Sequence, residues 1–142
     1  MSTLYVETSA ILRVLLEGDD ALRDIIASGE RLLTSALTFV ESDRGLRRAF
    51  RDARISSPQL REARRWLRAV ERSCDRILLD DTVLDRAKQD FPKEPLRSLA
   101  ALHLASALLC EETVCDVTVV SVDARVRENA VALGLDVKPA TL

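Results

Sequence analysis

The sequence has no long apolar run, no glycine-rich phosphate loop and no leader-like start. A membrane-spanning helix needs roughly 20 consecutive apolar residues, and no run approaches that length. The first residues lack the basic flank and the apolar core of a signal peptide, so we expect a cytoplasmic protein that does not associate with a membrane. Neither G-x-x-x-x-G-K-S/T nor G-x-G-x-x-G occurs, which disfavours an enzyme that uses a nucleotide cofactor.

Cysteine and histidine are also scarce, which limits metal and nucleophile chemistry. The three cysteines, Cys74, Cys110 and Cys115, include no Cys-x-x-Cys pair, so we predict reduced thiols rather than a disulfide framework or a zinc knuckle. His103 is the only histidine and has no second ligand at metal-binding spacing, so we interpret it as a packed or hydrogen-bonded helix residue. No serine lies in a G-x-S-x-G motif, which disfavours acyl transfer.

The composition is that of an ordinary globular protein with an uneven charge. At 142 residues, 47% hydrophobic and 31% charged, the chain is expected to form one domain over residues 1–142. A net charge of −2 argues by itself against a nucleic-acid partner. The middle of the chain is nevertheless rich in arginine, at Arg44, Arg47, Arg48, Arg51, Arg54, Arg61, Arg64, Arg65 and Arg68. Two interpretations stay open: a solvated helix surface, or a surface that faces RNA or a partner protein.

Predicted strands and helices alternate along the chain. Apolar or β-branched stretches predict strands at residues 4–6, 31–34, 77–79, 117–122 and 135–138. Helical spacing and cap signals predict helices between them, with Thr8 or Ser9, Ser35 and Ser57 as caps. The alternation predicts a three-layer α/β fold with a parallel sheet, on which the helices between residues 35 and 73 pack as a hairpin.

Two of the predicted strands end in acids. Glu7 follows the first strand and Asp123 follows the fourth, and each precedes a predicted helix. If these strands are neighbours where the strand order of the sheet reverses, the two carboxylates face one crevice at its carboxyl edge. Carboxylates without stronger ligands nearby suit a hard cation such as Mg²⁺ or Mn²⁺.

Glu41 is a third candidate. It shares one helical face with Leu37, Val40 and Arg44, so an acid lies on the stripe that should point inward. Spacing alone leaves two alternatives: Glu41 completes an acidic cluster, or it forms an ion pair with Arg44 at the edge of the helix.

Four stretches in this order resemble the PIN domain, in particular the VapC-like toxins of prokaryotic toxin–antitoxin pairs. The first is Tyr5-Val6-Glu7-Thr8-Ser9-Ala10, and the second combines Thr34-Ser35-Ala36-Leu37 with Val40-Glu41. The third is Leu96-Arg97-Ser98-Leu99-Ala100-Ala101-Leu102-His103-Leu104-Ala105. The last is Ser121-Val122-Asp123 with Ala130 and Gly134. The resemblance covers nearly the whole chain.

The resemblance implies an endoribonuclease that depends on Mg²⁺ or Mn²⁺. Its acidic cluster would be Glu7, Glu41 and Asp123, which would bind the metal and activate water for attack on the RNA phosphodiester. We expect four further residues to flank this site: Thr8, Ser9, Arg44 and Ser121. Members of this type usually form homodimers and are silenced by a small antitoxin protein that occupies the catalytic groove.

The sequence departs from the family pattern at two acids. Glu7 stands where the family has aspartate, and Ala100 stands where it has a second aspartate, so three acids remain of four. Weak or absent nuclease activity is therefore expected, with metal binding that is weak or lost. Ala100 is explained either by natural divergence or by a substitution that disarms a toxic nuclease. The alternative function is a non-catalytic PIN-fold module that binds RNA or a partner protein through its arginine-rich helices.

Overall fold

A parallel sheet of five strands forms the centre of the computed structural model, which describes residues 2–142. The strands are β1 (Thr3–Val6), β2 (Arg31–Ser35), β3 (Cys74–Ile77), β4 (Val117–Val120) and β5 (Asp136–Lys138). Their order across the sheet is β3-β2-β1-β4-β5, and every neighbouring pair is parallel. The order therefore reverses at β1, which has β2 on one side and β4 on the other.

Within residues 2–142, seven helices connect and cover these strands. They are α1 (Thr8–Glu17), α2 (Asp20–Ser28), α3 (Ala36–Arg51), α4 (Ser57–Ser73), α5 (Asp81–Ala87), α6 (Ser98–Val114) and α7 (Ala124–Ala132). The alternating helices and parallel strands confirm the predicted three-layer α/β architecture. Within residues 2–142, no helix combines the length and the apolar character that crossing a membrane requires.

The sheet separates two hydrophobic cores because successive strand side chains point to opposite faces. Leu4 and Val6 of β1 pack with the apolar faces of α1 to α4. Tyr5, between them, packs on the other face with α6 and α7. Helix α6 is buried on most of its sides in this second core, since Ala101, His103 and the run from Leu104 to Ala107 are all buried.

Several predicted boundaries were wrong, most clearly in the third strand. The strand lies at Cys74–Ile77, not at residues 77–79, and Leu78 is 70% exposed. The reason is that β3 is an edge strand whose Asp75 and Arg76 are exposed, so its own residues carry no apolar signal. The strand β4 also ends at Val120, two residues before the predicted end.

Two predicted helix caps were also wrong. Helix α4 is capped by Ser56, not Ser57, because the Ser56 side chain accepts from Gln59 N–H while the Gln59 side chain accepts from Ser56 N–H. At α1 the cap position is Glu7, which makes no side-chain cap hydrogen bond. The hydroxyl groups of Thr8 and Ser9, predicted as alternative caps, point instead to acids.

The segment between α5 and α6 is held by one buried amide. The Asn129 side chain accepts from Lys93 N–H at 2.9 Å and donates to the carbonyl groups of Lys93 at 3.0 Å and Arg125 at 2.9 Å. Because Asn129 is fully buried, its amide depends on these backbone groups for its hydrogen bonds. The amide therefore attaches the segment that carries Phe91 to helix α7.

Replacing Asn129 by alanine is expected to lower the free energy of unfolding by about 2–4 kcal/mol, because three hydrogen bonds are lost in a buried site. Urea denaturation would measure this change. The matched control is Lys93→Ala, which keeps both backbone partners and should cost less than about 0.5 kcal/mol. An equal cost for the two variants would contradict the proposed attachment.

Candidate active site

The first and fourth strands bring Glu7 and Asp123 to one edge of the sheet. Val6 is in register with Val120, and the Glu7 N–H donates to the Val120 carbonyl at 2.9 Å. Asp123 follows β4 after two residues and begins α7. The strands β1 and β4 are neighbours where the strand order reverses, which is the condition under which the sequence predicted that Glu7 and Asp123 face one crevice.

Two serines fix the Glu7 carboxylate. The hydroxyl groups of Ser9 and Ser121 both donate to Glu7 Oε2, the second at 2.8 Å. Ser9 Oγ in turn accepts from the Val122 N–H at 3.0 Å, so α1 and the loop after β4 are joined at this point. Glu7 is buried, and its Oε1 has no hydrogen-bond partner among residues 2–142. One carboxylate oxygen of Glu7 is therefore held by two serine hydroxyl groups, and the other is not engaged by the described residues.

Asp123 is connected to Glu7 through Ser121. The Asp123 N–H donates to Ser121 Oγ at 3.1 Å, and Asp123 Oδ1 accepts from the Val126 N–H at 2.9 Å as the cap of α7. The Asp123 residue is exposed. Its role as a helix cap uses only one oxygen, so capping and ligand binding are compatible at this residue.

Glu41 lies on α3 and is held from two other helices. Its Oε1 accepts from the Thr8 hydroxyl at 2.7 Å and lies 2.7 Å from His103 Nε2. The Glu41 side chain is 21% exposed, so it lies at the boundary between core and solvent. No ion pair between Glu41 and Arg44 occurs in the described part of the chain, which makes that alternative for Glu41 wrong.

His103 is the centre of this hydrogen-bond group. It is 2% exposed, and its Nδ1 lies 2.9 Å from the hydroxyl of the fully buried Tyr5. Since a carboxylate can only accept, the contact with Glu41 places a proton on Nε2; in the neutral ring Nδ1 then accepts from Tyr5. The interpretation of His103 as a packed, hydrogen-bonded residue is confirmed, but its partner is a candidate site acid.

The hydrogen bonds determine the charge state of this group. Burial by itself would raise the pKa of Glu41, but hydrogen bonds from His103 and Thr8, and the positive charge of His103 in its protonated form, bring the pKa below its ordinary value. Burial raises the pKa of Tyr5 well above its usual range, so the phenol keeps its proton and can donate it. Glu41 is therefore an anion whose Oε1 is engaged by the protein.

Ala100 lies one turn before His103 on α6 and presents only a methyl group. In residues 2–142, no group of three or more histidine, cysteine, aspartate or glutamate side chains is arranged to hold a metal ion. Of the predicted flanking residues, Thr8, Ser9 and Ser121 contact the acids. Arg44 is exposed on α3 and forms no ion pair among the described residues.

The chain is similar to known proteins along almost its whole length. A family model described as the PIN domain matches residues 4–132. Two relatives, each called Ribonuclease VapC35, come from the CDC 1551 / Oshkosh and H37Rv strains of Mycobacterium tuberculosis; each is 33% identical over 138 residues, which is 94% of this chain and 94% of the relative. The crystal structure of PAE2754 from Pyrobaculum aerophilum is similar in fold, with a TM-score of 0.61 and 20% identity over 90% of this chain and 79% of that one.

Proposed function

The chain belongs to the PIN domain family, and from this we propose that it is a VapC-type endoribonuclease whose divalent-metal site is weakened by Ala100. The relatives that share 33% of its residues along almost their whole length are named ribonucleases. The observation that supports the proposal is that β1 and β4, whose carboxyl ends lead to Glu7 and Asp123, pair with each other where the strand order reverses. Glu41, held by His103, supplies a third anion on α3.

The donor chemistry of these residues suits Mg²⁺ or Mn²⁺, since all of the candidate ligands are carboxylate oxygens. Because no three acids are arranged as a complete site in residues 2–142, the cation would be held by one or two carboxylates, with water and RNA phosphate as the other ligands. The candidates for these one or two ligands are Glu7, Asp123 and Glu41. When bound, such an ion lowers the pKa of water and offsets charge on phosphoryl oxygens.

The neighbouring side chains would act by orienting these acids. Ser9 and Ser121 fix one oxygen of Glu7, and Thr8 and His103 fix one oxygen of Glu41. Such fixed carboxylates need no reorganisation when charge develops on the substrate, which is the main way in which a polar site lowers a barrier. An aspartate at position 100 would add an anion to this group. Its absence is the reason why we expect slow catalysis.

The absence of an aspartate at position 100 also supports a second function. If the site is too weak for turnover, the fold serves as a module that binds RNA or a partner protein without cutting. The missing oxygen at Ala100 and the exposed arginines of α3 favour this alternative. The family resemblance further suggests a cytoplasmic homodimer that is paired with a small antitoxin protein.

The test of the proposal is cleavage of single-stranded RNA by the native chain in Mn²⁺ and in EDTA. We expect slow cleavage that needs the metal and that falls by about tenfold to a hundredfold in Asp123→Asn, because the substitution removes an anion. Asparagine keeps the oxygen that caps α7, so the fold should be unchanged. Cleavage that is equal in Mn²⁺ and EDTA, or equal in the variant, would exclude a metal-dependent site here. Metal-independent RNA binding without cleavage would support the module.

A further inference from the structure

The exposed face of α3 carries four arginines, Arg44, Arg47, Arg48 and Arg51, which we call the arginine stripe. All four are exposed, and their spacing of three, four and seven residues places them along one side of the helix. The buried side of the same helix is formed by Thr38, Phe39, Ser42, Leu46 and Ala49. The stripe is therefore a surface feature that the core does not require.

Most of the positive charge of the stripe is not neutralised. Among residues 2–142, the stripe forms one ion pair, Arg51 with Asp52 at 3.8 Å, and both of these side chains are largely exposed. On the neighbouring helix α4, two arginines are paired, Arg68 with Asp43 and Glu71, and Arg65 with Glu62. The other three arginines of α4, which are Arg61, Arg64 and Arg72, form no ion pair among residues 2–142. An acidic protein thus keeps a row of four exposed arginines on α3 with a single ion pair.

The stripe begins next to the candidate active site. Arg44 is one turn beyond Glu41 on the same helix, and Glu41 is bonded to His103 and Thr8. Seven residues of helix, from Arg44 to Arg51, span about 10 Å. The cations therefore form a row of about two helical turns that starts one turn from Glu41 and leads away from it.

We infer that the arginine stripe binds the backbone of a single-stranded RNA and guides it to the acids, an inference that rests on the proposed function. Arginine keeps its charge at any physiological pH and binds phosphate through two nitrogens. Phe50, which lies between Arg48 and Arg51 in the sequence, is 41% exposed. An exposed ring among arginines favours RNA over an acidic peptide, because bases stack on aromatic and guanidinium planes.

The experiment compares the salt dependence of RNA binding in two charge-matched variants. The stripe variant is Arg44→Gln with Arg47→Gln and Arg51→Gln, and the control is Arg65→Gln with Arg72→Gln and Lys88→Gln. The probe is a short fluorescein-labelled single-stranded RNA in EDTA, so that cleavage does not occur. Each lost phosphate contact should reduce the slope of log affinity against log salt by about 0.7, so the stripe variant should lose about 2 from the slope and at least about tenfold in affinity at low salt. The control should match the native chain.

The following results would overturn the inference that the stripe binds RNA. Equal weakening in the two variants, or none in either, overturns the stripe while leaving RNA cleavage as proposed. Failure of the native chain to bind RNA in EDTA overturns the stripe, and the ribonuclease proposal is overturned as well only if the native chain also fails to cleave RNA in Mn²⁺. Tighter binding of poly-L-glutamate than of RNA would assign the stripe to an acidic protein and overturn the inference. If circular dichroism shows that the triple variant is unfolded, the single variant Arg47→Gln, at a fully solvated position, should still reduce the slope by about 0.7.

Discussion

The variant Ala100→Asp is expected to cleave RNA about a hundredfold to a thousandfold faster than the native chain in Mn²⁺, which corresponds to about 3–4 kcal/mol of transition-state stabilisation. Ala100 lies one turn before His103, at the amino-terminal end of α6, and it is only half-buried. An aspartate there would lie one helical turn from the histidine that contacts Glu41, and it would not be forced into the core. The added anion should raise both the Mn²⁺ affinity and the rate.

The matched control is Ala100→Asn, which has the same shape as the aspartate and no charge. We expect it to behave as the native chain in both Mn²⁺ binding, measured by electron paramagnetic resonance, and RNA cleavage. Adding Asp123→Asn to Ala100→Asp should remove most of the gain. If Ala100→Asp binds no Mn²⁺ and cuts no RNA, the ribonuclease proposal is wrong and the binding module is favoured.

The variant His103→Leu is expected to lose about 2–4 kcal/mol of stability, because the substitution leaves Glu41, Thr8 and Tyr5 without their common partner. Glu41 then remains as a partly buried anion with one hydrogen bond, from Thr8. For a chain of this size the loss corresponds to a fall of about 5–12 °C in the melting temperature. Calorimetry or thermal denaturation followed by circular dichroism would measure it.

Two further variants separate the hydrogen bonds from simple packing. His103→Gln keeps an N–H donor near the position of Nε2 and should recover part of the loss, whereas Tyr5→Phe should cost only about 1 kcal/mol for one hydrogen bond. If His103→Gln is as unstable as His103→Leu, packing of the imidazole ring, and not its bond to Glu41, is what matters.

The dependence of folding stability on pH shows whether the ionised Glu41 side chain stabilises the folded protein. The pKa of Glu41 is lowered in the folded protein, so its contribution is present above the ordinary value of 4.5 and is lost as the pH falls through the folded value. In His103→Leu the main cause of the lowering is gone. The difference in stability between the native chain and this variant should therefore shrink as the solution is acidified below the ordinary pKa of Glu41.

The parts of the site that could be predicted from the sequence are those that depend on strand order. Glu7 and Asp123 each follow an apolar strand, and adjacent parallel strands bring their ends together. The polar edge strand β3 and the cap of α4 were misplaced, because their signals are local and ambiguous.

The partner of Glu41 could not be predicted, because His103 is 62 residues away in the sequence and on another helix. A lone histidine on a mostly buried helix gives no indication of which polar group it contacts. Tyr5 was likewise interpreted only as part of a strand. The hydrogen-bond group is a product of how α3 and α6 meet beyond the end of β1, and only the three-dimensional structure contains that information.

The bond between Glu41 and His103 also joins the two cores. Helix α3 packs on one face of the sheet and α6 on the other, yet their side chains meet at its carboxyl edge, 2.7 Å apart. Detaching either helix would leave a charged or polar group of the other without its partner in a water-poor environment. Unfolding of one half would therefore remove a stabilising contact from the other, which favours unfolding of the two halves together.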